Sequence, residues 1–352
     1  MAIISSVGTA VPPHKMEQAE VKQLIKSLIS DPQLHKYLTV FDEAQIEQRY
    51  FVADSAWLKL PQPFRMKNQL WVDQGVELAV TSAEKCINQV TGFSFKDIDA
   101  IISITSTGIL TPSLDAYLLN RLELREDIKR TPLFGLGCAG GANGLARAFE
   151  FLKAYPDQSV LLVAVELASV AFHPDCLDTK EIVASALFGD GAAAVLLLGE
   201  KHSKRKILER TMLIRDASSR TKHHSMDVMG WEVGNDGFHV VFDKVIPQLI
   251  KPFWQPHFKE LMQKHGIDPD QLAYLIVHPG GRKVIEEVGQ IVNPTKLSYS
   301  RMTLKQFGNM SSPTVLFVLN EVLKRPSIDK GHAILSALGP GFSSELLLLE
   351  VV

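Results

Sequence analysis

Apolar runs of strand length recur along the chain, each followed by small or polar turn residues and then by apolar side chains at helical spacing. Residues 98–104, 159–165, 272–277 and 331–337 read as strands, and so do the N-terminal residues 1–8 and the run 192–198. Most of these runs are apolar at nearly every position, the pattern of strands covered on both faces, and this predicts parallel sheets clothed by helices. Residues 17–30 and 73–89 read as amphipathic helices, the second through Val76, Leu78, Ala79, Val80, Ala83 and Ile87. Residues 143–152 and 313–322 read as two more. The helical stretch 242–263 carries Pro247, Pro252 and Pro256, which predicts a kinked or split helix. Residues 204–206 and 218–225 read as surface connections.

The order of these elements repeats. In the first half the strand 98–104 precedes the turn Gly135-Leu136-Gly137-Cys138, a helix and the strand 159–165. In the second half the strand 272–277 precedes the turn Phe307-Gly308-Asn309-Met310, a helix and the strand 331–337. Turn-to-strand distances agree to about two residues, the mark of an internal duplication. The pattern predicts an α/β protein of layered architecture, with two halves, 1–205 and 206–352, related by a pseudo-twofold axis. Chemistry in such sheets gathers at the carboxyl ends of strands. Cys138 and Asn309 sit in matching turns, and His278 follows a strand, so residues remote in sequence are brought towards one site.

Composition narrows the function classes. The 352 residues are 46% hydrophobic with a formal net charge of −2, which leaves no basic excess for a nucleic acid. The basic run from Lys201 to Arg210 reads as a solvated connection. Three cysteines without paired spacing (Cys86, Cys138 and Cys176) argue against a disulfide framework and for a reducing, cytoplasmic setting. No pair has zinc-ligand spacing. The first residues read as a strand rather than a signal peptide, and no apolar run reaches membrane-spanning length.

Cys138 is the leading chemical candidate. It ends a glycine-rich turn just before a helix, whose positive dipole end favours a thiolate, and small neighbours admit a substrate carbonyl. His278, followed by Pro279-Gly280-Gly281, is the candidate base or cation, and the expected resting state is a thiolate–imidazolium pair. Asn309 offers an amide donor for an oxyanion or enolate. Each also has a plainer reading: Cys138 as an inert buried thiol, His278 as a satisfied strand-end histidine, Asn309 as a helix N-cap. Phe188 and Phe238 are either core aromatics or a hydrophobic gate beside the thiol. Asp190, in Gly189-Asp190-Gly191, reads as a turn-fixing residue, and Cys86 and Cys176 as bystanders.

Five motifs in order resemble the type III polyketide synthases, the chalcone-synthase-like branch of the thiolase superfamily. They are Gly137-Cys138-Ala139-Gly140-Gly141, the segment from Ala186 to Ala193, Val277-His278-Pro279-Gly280-Gly281, Gly308-Asn309-Met310-Ser311-Ser312, and Leu338-Gly339-Pro340-Gly341-Phe342. The surroundings of Cys138 look most like the bacterial alkylpyrone and alkylresorcinol synthases. The resemblance covers nearly the whole chain and implies a thiolase-like αβαβα fold and a homodimer. It implies an acyl-carrying Cys138, with His278 and Asn309 binding the thioester carbonyl and promoting malonyl decarboxylation. Phe188 and Phe238 become gatekeepers, and Ser106, Thr107, Ala171, Gly230 and Ser311 line the elongation cavity. Gly339, Pro340 and Gly341 shape its floor, and Thr111-Pro112 matches a loop that reaches across the dimer.

Departures from the plant enzymes are Ala171 for a threonine, Thr111 for a methionine, and Ala337-Leu338 ahead of Gly339-Pro340-Gly341. The segment 41–49, basic in those enzymes, keeps only Arg49 as a cation. Coenzyme A docking is therefore expected to use Arg65 or Lys67, or an acyl carrier protein delivers the starter. The expected activity is iterative decarboxylative condensation of malonyl-CoA onto an aliphatic acyl-CoA starter, without a metal or cofactor, ending in an alkylpyrone or alkylresorcinol. Two alternatives stand beside it: a ketoacyl-acyl-carrier-protein synthase of the third type, disfavoured by Pro279-Gly280-Gly281 after the histidine, and an inactive acyl-binding scaffold.

Overall fold

The structure is a computed structural model that describes residues 1–207, 212–325 and 329–352. Its strands, in chain order, are β1 (Ala2–Ala10), β2 (His14–Glu17), β3 (Gln48–Phe51), β4 (Ala100–Thr105), β5 (Lys129–Phe134), β6 (Ser159–Leu167), β7 (Asp190–Gly199), β8 (Met212–Thr221), β9 (Met229–Gly234), β10 (Gly237–Phe242), β11 (Tyr274–Val277), β12 (Gly331–Gly339) and β13 (Ser343–Val351). Nine join in one sheet of order β11-β12-β13-β8-β1-β7-β6-β4-β5. The expected duplication is visible in strand direction. β4 runs parallel to β6, β6 antiparallel to β7, and β7 antiparallel to β1. β11 runs parallel to β12, β12 antiparallel to β13, and β13 antiparallel to β8. The two sets meet where β1 pairs with β8 over only three positions, Ala2 to Ile4.

The sheet is mixed rather than parallel. β7 and β13 run against their neighbours, although both are apolar along most of their length. All-apolar runs report cover on both faces, and here helices supply that cover whichever way the strand points.

Three apolar clusters mark the layers. Helices Gly140–Ala154 and Thr314–Leu323 fill the middle, where Ala142, Leu145 and Phe149 share a core with Val315, Leu316 and Leu319. Helix Phe64–Ile87 covers one outer face, packing Trp71, Ala79 and Ala83 with Ile3, Ile101 and Leu161. Helices Gln255–His265 and Arg282–Gly289 cover the other, with Phe258 and Ile285 against Leu275, Ile334 and Leu348. The result is the expected α-β-α-β-α stack. The middle layer is tight because its helix begins with glycines. A Cβ on Gly141 would lie 2.3 Å from the Ser312 carbonyl oxygen, and one on Gly144 would lie 2.4 Å from Ile104 Cδ1.

Other expectations shift locally. The long helix starts at Phe64, nine residues before the apolar stripe, because Pro61 and Pro63 set its beginning and its first turns are half exposed. The proline-rich stretch splits into a 3₁₀ turn (Ile246–Leu249), a π turn (Ile250–Trp254) and the helix from Gln255. Residues 218–221 are not a surface connection but the end of β8, paired with β13. In the basic run, Lys204 pairs with Asp97 at 2.6 Å; Arg210 lies outside the described residues.

Candidate active site

Cys138 occupies a single 3₁₀ turn, Gly137–Ala139, that leads directly into the helix Gly140–Ala154. Gly135 (φ +82°) and Gly137 (φ +47°) bend the chain from β5 into that turn through left-handed conformations that a side chain would strain. The Gly137 amide donates to Ser106 Oγ at 2.9 Å, which ties the cysteine turn to the end of β4. The thiol is buried and lines a cavity together with Ser106, Phe188, Phe238 and Ser311.

The second half supplies its partners. Asn309 sits 3.8 Å from Sγ through Oδ1 and 3.9 Å through Nδ2. Its side chain is fixed: Nδ2 donates to the Gly280 carbonyl (3.1 Å) and Oδ1 accepts from the Ser311 amide (2.8 Å). Its backbone is clipped to the Phe188 segment, with Asn309 N donating to Leu187 O and Gly189 N to Asn309 O. The N-cap reading fails, because the following helix starts only at Thr314 and Asn309 makes an Asx turn instead. His278 follows β11 and lines one small cavity together with Cys138, Asn309 and Gly280. It is buried, and neither ring nitrogen has a hydrogen-bond partner. Among the described residues no group satisfies this strand-end histidine, and its ring shares the cavity that Cys138 lines.

The charges differ from expectation. Burial pushes the Cys138 thiol up to about 11, with hydrogen bonds from Ser311 and Asn309 opposing it. Burial pulls His278 down to about 3. Desolvation of both groups thus favours neutral thiol and neutral imidazole over the expected thiolate–imidazolium pair, against the helix dipole, a contribution of about 0.3–1 kcal/mol.

A group that the sequence reading passed over lies beneath the thiol. Glu166, inside the apolar strand β6, is fully buried and accepts from the Ser106 amide (2.9 Å), Thr107 Oγ1 (2.8 Å) and Ser312 Oγ (2.9 Å). Burial raises its carboxyl to about 7. A charged residue within an all-apolar run was the available signal, since such a residue survives only with partners.

The expected wall residues are divided. Ser106, Cys138, Phe188, Gly230, Phe238, Ser311, Pro340 and Gly341 line one cavity. Trp231, Met229 and Met226 line it too; they were not anticipated. The signal was the Asn235-Asp236-Gly237 turn between apolar stretches, a hairpin mark that predicts β9 and β10. Three expected residues lie outside this lining. Thr107 is consumed in the wall, accepting from Trp71 Nε1 and the Leu167 amide while donating to Glu166. Gly339 is a contact point beneath the cysteine turn, where a Cβ would lie 2.5 Å from Ala139 Cβ and 2.8 Å from Leu136 O. Ala171 lines a second, narrow cleft with Val21, Leu24, Ile25, Leu58 and Phe172. The two cavities share Ala168, Phe188, Trp231 and Val240 as their common wall. Thr111 and Pro112 are exposed and joined by a cis peptide bond.

The cations also sort themselves. Arg49 is fully buried and donates to Gln18 Oε1, Ser185 O and Phe188 O, so it braces the Phe188 segment and is not a docking group for phosphate. Lys67 is buried against His173, whereas Arg65 is exposed. Asp190 accepts from the Val52 and Ser169 amides and the Ser169 hydroxyl, the turn-fixing role expected of it. Cys86 is buried on its helix, bonded to Ser6, and Cys176 is exposed in a loop.

Residues 1–201 match the family of chalcone and stilbene synthases, N-terminal domain, and residues 217–352 match its C-terminal domain. The chain belongs to the chalcone and stilbene synthase family. It is a type III polyketide synthase, an enzyme of the acyltransferase type. The family assignment is reinforced by a putative chalcone synthase of Bacillus subtilis, 36% identical over 99% of both chains. A 1,3,6,8-tetrahydroxynaphthalene synthase of Streptomyces peucetius is 34% identical, over 99% of this chain and 92% of the relative. The crystal structure of the 1,3,6,8-tetrahydroxynaphthalene synthase of Streptomyces coelicolor, a bacterial type III polyketide synthase, superposes with a TM-score of 0.92 at 26% identity and 99% coverage of each chain. Among the described residues no helix is long and apolar enough to cross a membrane.

Proposed function

We propose that the enzyme loads an aliphatic acyl group from a coenzyme A thioester onto Cys138 and extends it by decarboxylative condensation with malonyl-CoA. His278 takes the thiol proton as Sγ attacks the starter carbonyl, and returns it to the departing coenzyme A sulfur. Malonyl-CoA then loses carbon dioxide, and its enolate oxygen accepts hydrogen bonds from His278 and Asn309. The enolate carbon attacks the Cys138 thioester, and the sulfur leaves to receive the longer chain. Both substrates bring their own thioester activation, so the scheme needs neither metal nor organic cofactor. Phe188 and Phe238 keep the reacting thioester against apolar surface and exclude water.

The observation that carries the starter assignment is the narrow apolar cavity behind the Phe188–Trp231 wall. It runs between the first helix and the turn holding Ala171, and an alkyl chain would reach it from the Cys138 cavity past the shared wall of Ala168, Phe188, Trp231 and Val240. Cyclisation to an alkylpyrone or alkylresorcinol follows in the larger cavity. A starter-length series with malonyl-CoA, read by mass spectrometry, tests this reading: C8 to C16 starters should outcompete bulky aromatic ones and give cyclised products. Preference for aromatic starters would overturn it. A single linear β-ketoacyl thioester would instead identify a ketoacyl-acyl-carrier-protein synthase. Likeness to tetrahydroxynaphthalene synthases supports a second reading, a fused aromatic product, for which malonyl-CoA as the sole substrate gives the diagnostic reaction. Absence of malonyl decarboxylation would mark an inactive acyl-binding scaffold.

We further infer a homodimer in which the Thr111-Pro112 loop approaches the partner's cavity. Arg65, exposed at the start of the long helix, is the remaining proposed contact for coenzyme A; an acyl carrier protein is the alternative starter donor.

A further inference from the structure

Beside the gate, three potential metal ligands from separate segments converge. His173 lies just after the turn Ala168–Ala171, and Asp236 and His239 flank Phe238 on the β9–β10 hairpin. His173 Nδ1 is 3.3 Å from Asp236 Oδ2, and His239 Nε2 is 2.8 Å from Asp236 Oδ1. One ligand atom from each residue lies within 4.8 Å of the other two. Ligands around tetrahedral zinc, with bonds of about 2.0 Å, stand about 3.3 Å apart, so the spacing suits a coordination set once the His239 ring turns out of its stacked position on His173, where the centroids are 4.1 Å apart.

Two further observations fit a site rather than a chance grouping. His173 Nε2 donates to the Phe238 carbonyl at 3.1 Å, which fixes the tautomer and leaves the in-plane Nδ1 lone pair open, 3.3 Å from Asp236 Oδ2. Metal-binding histidines are oriented by such second hydrogen bonds. Gly234 provides room, since a Cβ there would lie 2.9 Å from both Asp236 Oδ1 and His239 Nε2. The half-exposed Asp236 gives access from solvent.

We propose that His173, Asp236 and His239 bind one divalent transition-metal ion of zinc-like chemistry, which fastens the Phe238 hairpin to the turn that carries Ala171. Three ligands leave a position for water, and two imidazoles with one carboxylate suit Zn²⁺ rather than Mg²⁺ or Ca²⁺. Lys67 Nζ approaches the same His173 Nδ1 at 3.1 Å, so its ammonium competes with the ion for one lone pair. The ion takes no part in condensation; it holds the gate.

Calorimetric titration of the metal-free enzyme with Zn²⁺ tests the proposal. The wild type should take up an equivalent that His239→Ala weakens by about tenfold or more. Gly234→Ala should weaken it as well, because the added methyl meets only the flexible ends of two ligand side chains. Lys67→Met should tighten it, and Zn²⁺ should raise the Tm of the wild type but not of Gly234→Ala. Equal Zn²⁺ uptake by the wild type, His239→Ala and Gly234→Ala overturns the site, as does weaker binding by Lys67→Met. Gly234→Ala and Lys67→Met keep the test decisive if His239→Ala does not fold.

Discussion

Burial pushes the Cys138 thiol towards its uncharged form, which sets how it should meet reagents. Its alkylation by iodoacetamide should accelerate about tenfold per pH unit from neutrality towards its value of about 11, with no plateau near pH 7. A plateau at neutral pH would reveal the ion pair that desolvation argues against. Cys138→Ala should abolish acyl labelling from a radioactive acyl-CoA; label persisting on Cys86 or Cys176 would overturn the nucleophile assignment. Glu166 makes a different prediction. Its folded value of about 7 lies above the ordinary carboxyl range, so the protonated form is favoured by folding. The associated stability is complete below about pH 4.5 and is lost as pH rises through about 7, an effect of roughly 3 kcal/mol. Glu166→Gln, whose amide oxygen can keep the Ser106 and Thr107 contacts, should flatten the dependence of unfolding free energy on pH across that window; an unchanged slope would refute it. Cys138 and His278 were legible because each follows a strand and precedes glycines, and Asn309 because it sits after Gly308 in the turn that matches the cysteine turn. Their protonation states were not, because burial depth depends on what the other half packs over them.

Turns, rather than the regular elements they join, set the shape of the site. Gly339 ends β12 directly under the cysteine turn, and the atoms around its missing Cβ include backbone that cannot move aside. Gly339→Ala should therefore destabilise the fold by about 1–3 kcal/mol, seen as a lower Tm, and displace the thiol enough to depress turnover. On the opposite wall, Ala171→Phe should fill the narrow cavity and move starter preference from long to short acyl chains; an unchanged preference would place the alkyl chain elsewhere. The main helices and the strands 98–104, 159–165, 272–277 and 331–337 could be read from periodicity, since their apolar faces are long. β9 and β10 escaped because Gly230, Glu232 and Asp236 dilute the apolar signal that the Asn235-Asp236-Gly237 turn should have restored. β5 escaped for another reason. It is an exposed edge whose Lys129, Arg130 and Pro132 read as loop.

At the level of the whole molecule, that edge suggests how two copies meet. Phe134, at the end of β5, is 59% exposed, yet it lines both the Cys138 cavity and a cleft formed with Ile109 and Leu110. Light scattering should give twice the chain mass, and Phe134→Glu should shift it towards the monomer with loss of activity; a fully active monomer would refute the dimer. The joint between halves has a further consequence, one of time. Cys138 and Asn309 are 171 residues apart, so at ribosomal speeds roughly ten to thirty seconds separate their synthesis. β13, which follows β12 in the chain, lies inside the sheet between β12 and β8. A nascent first half must wait with β1 lacking its β8 neighbour and its thiol without Asn309 or His278. Cys138 cannot meet Asn309 until the second half has been made and folded against the first.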